Sequence, residues 1–169
     1  MASPNERLVQ WLRDAHAMEE QAETMLSQTA ERLEHYPELK RRIEQHAEET
    51  RRQAERLKTC LERLNGGSSA FKDAAGKMMG VGQAMSGLFA GDEVVKAALA
   101  SYTFEHMEIA SYRSLIATAD QCGDAETRRV CEENLAEEEA MAKWLGDNLS
   151  DVTRAYLARE AAPETTSKH

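Results

Sequence analysis

Residues 104–112 read Phe-Glu-His-Met-Glu-Ile-Ala-Ser-Tyr. Glu105 and Glu108 stand three apart between Tyr102 and Tyr112, so on a helix they share one face. A globular helix presents Leu or Ala on the face it buries, and a carboxylate there is the informative departure. Outward from this stretch the sequence predicts a helix over 92–121, a turn at Cys122-Gly123-Asp124, and a last helix over 125–159.

The N-terminal half mirrors this hairpin. Ser3 is the expected N-cap of a helix over 4–35, with Pro4 at its first position and Glu6 at the capping-box position. Leu8, Trp11, Leu12, Ala15, Ala22, Met25, Leu26 and Leu33 follow the spacing of one buried stripe. Pro37 restarts the chain after a tight turn. A helix over 37–64 then buries Leu39, Ile43, His46, Ala47, Ala54, Leu57, Cys60, Leu61 and Leu64, ending at Asn65-Gly66-Gly67-Ser68-Ser69. Residues 70–89 are rich in Gly, Ala and Met and read as a short helix inside a long crossover. The expected fold is all-α: residues 1–162 form a single four-helix bundle of two antiparallel hairpins, joined in the ferritin-like order by a long connection. Residues 163–169 read as a flexible tail.

Composition agrees. In 169 residues, 30% are charged and 5% aromatic, which is helix-former usage. A net charge of −9 argues against nucleic-acid binding, which needs clustered Lys and Arg; the run Lys40-Arg41-Arg42 reads as a solvated helix face. Cys60, Cys122 and Cys131 form no CxxC pair and read as buried small residues. The first residues lack the apolar core of a signal peptide, and nowhere do 18 apolar residues run together. A cytoplasmic protein without membrane contact is expected.

Every hairpin helix places a carboxylate on its core stripe. Glu19 lies in register with Leu12, Ala15, Ala22 and Leu26; Glu49 and Gln53 continue the series Ile43, His46 toward Leu57; Glu138 falls between Leu135 and Met141. Buried carboxylates facing one another repel, and each costs several kcal/mol unless paired or coordinated. A pair of metal ions removes that conflict and is how bundle cores hold di-iron or di-manganese centres. By spacing alone, a salt-bridged surface accounts for the same glutamates, since Glu20, Glu23, Glu137 and Glu139 are their neighbours. His106 and His46 could ligate, but a lone His on a helix more often packs or supports. Tyr102 and Tyr112 read as packing residues or as hydrogen-bond donors to the carboxylates.

The stretches at 46–57 (His-Ala-Glu-Glu-Thr-Arg-Arg-Gln-Ala-Glu-Arg-Leu), 104–112 and 134–140 (Asn-Leu-Ala-Glu-Glu-Glu-Ala), with residues 14–21, resemble the bacterial YciE/YciF-like family of ferritin-like proteins. The resemblance covers essentially the whole helical chain. It implies a homodimer of ferritin-like bundles, a carboxylate-bridged metal pair and an association with stress responses. Carried over by position, it points to Glu19, Glu49, Glu105, Glu108 and Glu138 as metal ligands, with Gln53 nearby. One feature departs from the usual Glu-x-x-His motif: Glu49 is followed three residues on by Arg52, and Glu138 by Met141. A centre without those His ligands is oxygen-rich and suits hard cations, iron or manganese.

The function expected is a di-metal carboxylate protein reacting with dioxygen or peroxide. In that reading Glu49 and Glu138 bridge the ions while Glu19, Glu105 and Glu108 bind terminally. The alternative is a dimeric structural or binding bundle in which metal is a staple or absent, with Met78, Met79, Met85, Leu88 and Phe89 as an adaptable surface. Iron storage is weaker, since nothing signals the cage it needs.

Overall fold

The computed structural model describes residues 2–64 and 93–162. The helix expected over 70–89, the methionine surface within it and the tail at 163–169 lie outside the described residues. Four helices are described: α1 (Pro4–Arg32), α2 (Pro37–Leu64), α3 (Glu93–Cys122) and α4 (Ala125–Glu160).

The local signals act as the sequence predicts. Ser3 adopts extended backbone and its hydroxyl accepts from the Glu6 N–H, while the Glu6 carboxylate accepts from the Ser3 N–H at 2.7 Å. Both orphan donors of the first turn are thereby satisfied. The α1 helix ends at Arg32, and Leu33 turns out of helical geometry at φ −89°, ψ 58°. Leaving the helix here lets Leu33 and Tyr36, both buried, plug the end of the core. At the other hairpin, Gly123 takes φ 69°, a left-handed conformation that costs glycine little. Asp124 then caps α4 by accepting from the Thr127 N–H at 3.1 Å.

The two hairpins are α1–α2 and α3–α4, and they pack together through α1 on α3 and α2 on α4. Arg63, at the end of α2, bonds Asp124 at the start of α4 at 2.6 Å. Since α3 also ends there, α2 and α3 run parallel.

Trp11, expected on the buried stripe, is 41% exposed. The stripe is narrower than a 3,4 pattern allows: Leu8, Leu12 and Ala15 fill it and the indole lies at its margin. The apolar core divides into two clusters. One gathers Leu8, Leu12, Leu57, Leu61, Phe104, Tyr112 and Leu115; the other gathers Leu26, Leu33, Tyr36, Ile43, Val94, Met141 and Leu145. What separates them is polar.

Candidate metal centre

The layer between the clusters is built by helical spacing. His46, Thr50 and Gln53 recur at four and three residues on α2; Glu105, Glu108 and Tyr112 at three and four on α3; Asn134 and Glu138 at four on α4; Glu19 comes from α1. All nine are 2% exposed or less.

His46 is the hub. Its Nε2 lies 3.1 Å from Glu105 Oε2 and 3.3 Å from Glu138 Oε2, and its Nδ1 lies 2.9 Å from Glu49 Oε2. Neither buried oxygen is aligned as a hydrogen-bond acceptor, so these two contacts are electrostatic. Burial opposes the charge on His46, but Glu105, with Glu138 and Glu49, outweighs it and raises the imidazole pKa well above its ordinary value. With a carboxylate oxygen near each ring nitrogen, the charged form of the ring is favoured.

The carboxyls divide. Burial first, and Glu138 second, raises Glu19 well above the carboxylate range; burial, with Glu19, Glu138 and Glu105 around it, does the same to Glu108. Burial pushes Glu105 to about 8 against the pull of His46. Burial also opposes ionisation of Glu138, yet its contacts with His46, Glu105 and Gln53 hold it below the ordinary value.

Glu49 sits at the rim, 13% exposed, where it also accepts from Arg42 at 3.1 Å and Gln45 at 2.8 Å. Burial is outweighed there, and its pKa falls to about 2.

A second set of bonds runs outward. Tyr112 donates to Glu19 Oε1, Asn134 donates to the Tyr112 oxygen at 3.0 Å, and Arg56 donates to Asn134 Oδ1 at 2.9 Å. Arg56 also pairs with Glu137 at 2.8 Å, and Glu137 accepts from Gln53 at 2.9 Å.

Of the sequence-expected residues, Glu19, Glu105, Glu108 and Glu138 come together with Gln53, His46 and Tyr112. Glu49 meets the centre only through His46. His106 is exposed and stands edge-on to half-buried Tyr102, ring centroids 4.7 Å apart; neither reaches the layer. Arg52, in the usual motif's His position, is exposed, and Met141 joins the apolar cluster. Asn134, Arg56 and Glu137 were not singled out from sequence. Asn134 had a signal, lying four residues before Glu138 on the same stripe.

One donor atom from each of His46, Glu105, Glu108 and Glu138 lies within 4.8 Å of the others, a grouping that can hold a metal ion. Glu19 Oε2, Gln53 Oε1, Glu108 Oε1 and both Glu138 oxygens are buried without a hydrogen-bond donor. Such orphaned acceptors are costly unless something positive lies among them. The residues therefore fit a hard cation: several oxygens, one imidazole nitrogen, and no thiolate within the group. A largely apolar cavity of about 20 Å3, lined by Ala22, Met25, Leu26, Thr29, Ser101 and Phe104, abuts Glu105.

Residues 3–158 match DUF892, described as a domain of unknown function. The chain belongs to this family. The chain is also similar to several solved structures. A Xanthomonas campestris pv. campestris protein is 45% identical, with a TM-score of 0.78 over 95% of this chain and 100% of its own. The Escherichia coli stress protein YciF is 25% identical, with a TM-score of 0.75 over 89% of this chain and 99% of its own. YcfI from Rhodopseudomonas palustris, described with a proposed structural role, is 26% identical, with a TM-score of 0.75 over 86% and 94%. The DUF892 chain is thus YciF-like and shares the helical bundle of these proteins. Among its described residues no helix is long and apolar enough to cross a membrane.

Proposed function

We propose that this protein is a carboxylate-bridged di-metal protein, holding iron or manganese, that reacts with dioxygen or peroxide in a stress-protection role. The observation that carries the reading is the set of buried carboxylate oxygens without donors around His46. Apolar residues at such buried positions are often as stabilising or more so, so the carboxyls call for a role.

Glu105, Glu108, Glu138 and His46 would hold metal, with Glu19 Oε2 as a further donor. When bound, such a pair supplies redox change at an open coordination position. The chain supplies the rest. Tyr112 fixes Glu19, and Glu49 holds the His46 ring through Nδ1. The two apolar clusters keep bulk water from either side of the layer. The cavity beside Glu105, at about 20 Å3, has room for a water-sized molecule, which suits dioxygen or peroxide. A cytoplasmic homodimer is part of the proposal, as is the link with stress that YciF's description supports.

Mixing ferrous-loaded protein with dioxygen or peroxide tests it. Oxidation faster than for free ferrous ion, and lost in Glu105→Ala, is expected; rates equal to free ferrous ion contradict it. One feature favours a structural alternative: His46 lies among the carboxyls, and burial shifts Glu19, Glu105 and Glu108 toward their neutral forms, which lessens their mutual repulsion. Under that reading metal changes stability or assembly and no oxidant is consumed.

A further inference from the structure

The bonds that leave the centre have a direction, and one ion pair fixes it. A guanidinium has only donors, so the Asn134 atom facing Arg56 Nη1 at 2.9 Å is its carbonyl oxygen. The Asn134 amide N–H then faces Tyr112, whose oxygen accepts it at 3.0 Å. With that oxygen engaged as acceptor, the phenolic hydrogen goes to Glu19 Oε1. Glu19 Oε2 is left buried without a donor.

The second branch has the same origin. Glu137, paired with Arg56 at 2.8 Å, is an acceptor only. Gln53 must therefore turn its amide nitrogen to Glu137, at 2.9 Å, which leaves Gln53 Oε1 buried and without a donor. Both chains begin at groups about a quarter exposed, Arg56 at 23% and Glu137 at 24%, and both end at orphaned oxygens in the layer.

We propose that the Arg56–Glu137 pair is a positioning device that sets the polarity of both branches, so that Glu19 Oε2 and Gln53 Oε1 are the oxygens turned toward the ions. In this role Arg56, Glu137, Asn134 and Tyr112 are positioning residues. The metal-directed half of this rests on the proposed function; the polarity itself does not.

Asn134→Asp is the diagnostic change. It is nearly isosteric and keeps the partner of Arg56, but it removes the donor to Tyr112 and adds an acceptor. The phenolic hydrogen is drawn toward Asp, and Glu19 Oε1 loses its bond. Two readouts are compared across wild type, Asn134→Asp, Tyr112→Phe and Arg56→Lys: manganous-ion affinity by electron paramagnetic resonance, and the tyrosine Raman doublet of metal-free protein, isolated by difference against Tyr112→Phe. Manganese binding 10- to 100-fold weaker is expected in Asn134→Asp and Tyr112→Phe, of the order found when outer partners of ligands are lost. Arg56→Lys, which retains a donor to Asn134, should fall closer to wild type. In Asn134→Asp the doublet should move away from its wild-type value, since the phenol then donates to a carboxylate and no longer accepts from Asn134. Wild-type affinity in Asn134→Asp, or an unmoved doublet, overturns the proposal. If wild type itself binds no manganese, the metal-directed half fails with the proposed function, and the doublet alone decides the polarity.

Discussion

Replacing Glu108 by Leu should make the metal-free protein more stable while destroying the centre. Glu108 is 1% exposed, its Oε1 has no donor, and Glu19, Glu138 and Glu105 all oppose its ionisation. Leucine has similar volume and removes an orphaned acceptor worth about 1–3 kcal/mol. Substitutions of buried charged groups by apolar ones range from neutral to about 4 kcal/mol stabilising. A gain of about 2 kcal/mol at pH 5 is the expectation, or roughly 4–8 °C in Tm for a chain of this size. The gain should also depend on pH. The folded-state pKa of Glu108 is raised, so above the unfolded value of about 4.3 the folded chain retains a proton that the unfolded chain has lost, and stability falls as pH rises. Each such proton is worth about 1.4 kcal/mol per pH unit. Glu108→Leu lacks that loss, so its advantage should be larger at pH 7 than at pH 5. Urea denaturation of chelator-treated protein at both values measures it. A variant less stable than wild type by more than about 1 kcal/mol at pH 7 would refute the reasoning, because the carboxyl would then be a stabilising member of the core.

Further outcomes follow from the same geometry. Metal-free wild type should lose stability as pH rises from about 4.5 toward 8, the raised value of Glu105. His46 acts in the same direction: its contribution is full below about 6.5 and is lost as pH climbs through its raised value. Glu49 has the opposite sign, present above about 4.3 and lost only as pH falls through about 2. Urea midpoints from pH 4.5 to 8 give the combined slope, and added manganese should flatten or reverse it, since binding displaces the retained protons. His46→Gln should weaken manganese binding whereas His106→Ala should leave it unchanged, read by the same resonance titration. Ser3→Ala and Gly123→Ala should each cost about 1 kcal/mol by thermal denaturation, the first through a lost cap and the second through strain at φ 69°.

The helices were legible because their signals are local. Ser3, Pro4 and Glu6 specify one end of α1, and Gly123 with Asp124 specifies the turn into α4. Glu19, Glu105, Glu108 and Glu138 could be picked out because a carboxylate on an apolar stripe violates a strong pattern. Trp11 and Glu49 show the limit of that pattern: a 3,4 spacing fixes a face only to within about one position, and both lie at the margin of their stripe. His46 could be placed on the buried stripe of α2 but not ranked above His106 as a ligand, since each lies within one turn of a glutamate read as a ligand. In the structure His46 on α2 is buried in the layer, whereas His106 on α3 is exposed beside Tyr102. The Arg56–Glu137–Gln53 bonds were illegible for a related reason, joining residues about eighty positions apart whose types are ordinary for a helix surface.

The most direct test of the central claim is elemental analysis of protein purified without chelator or metal-affinity resin. About two iron or manganese ions per chain is the prediction for a dinuclear centre. No bound metal, even after anaerobic reconstitution with ferrous iron, would contradict it and leave the buried carboxyls as a protonated, structural layer.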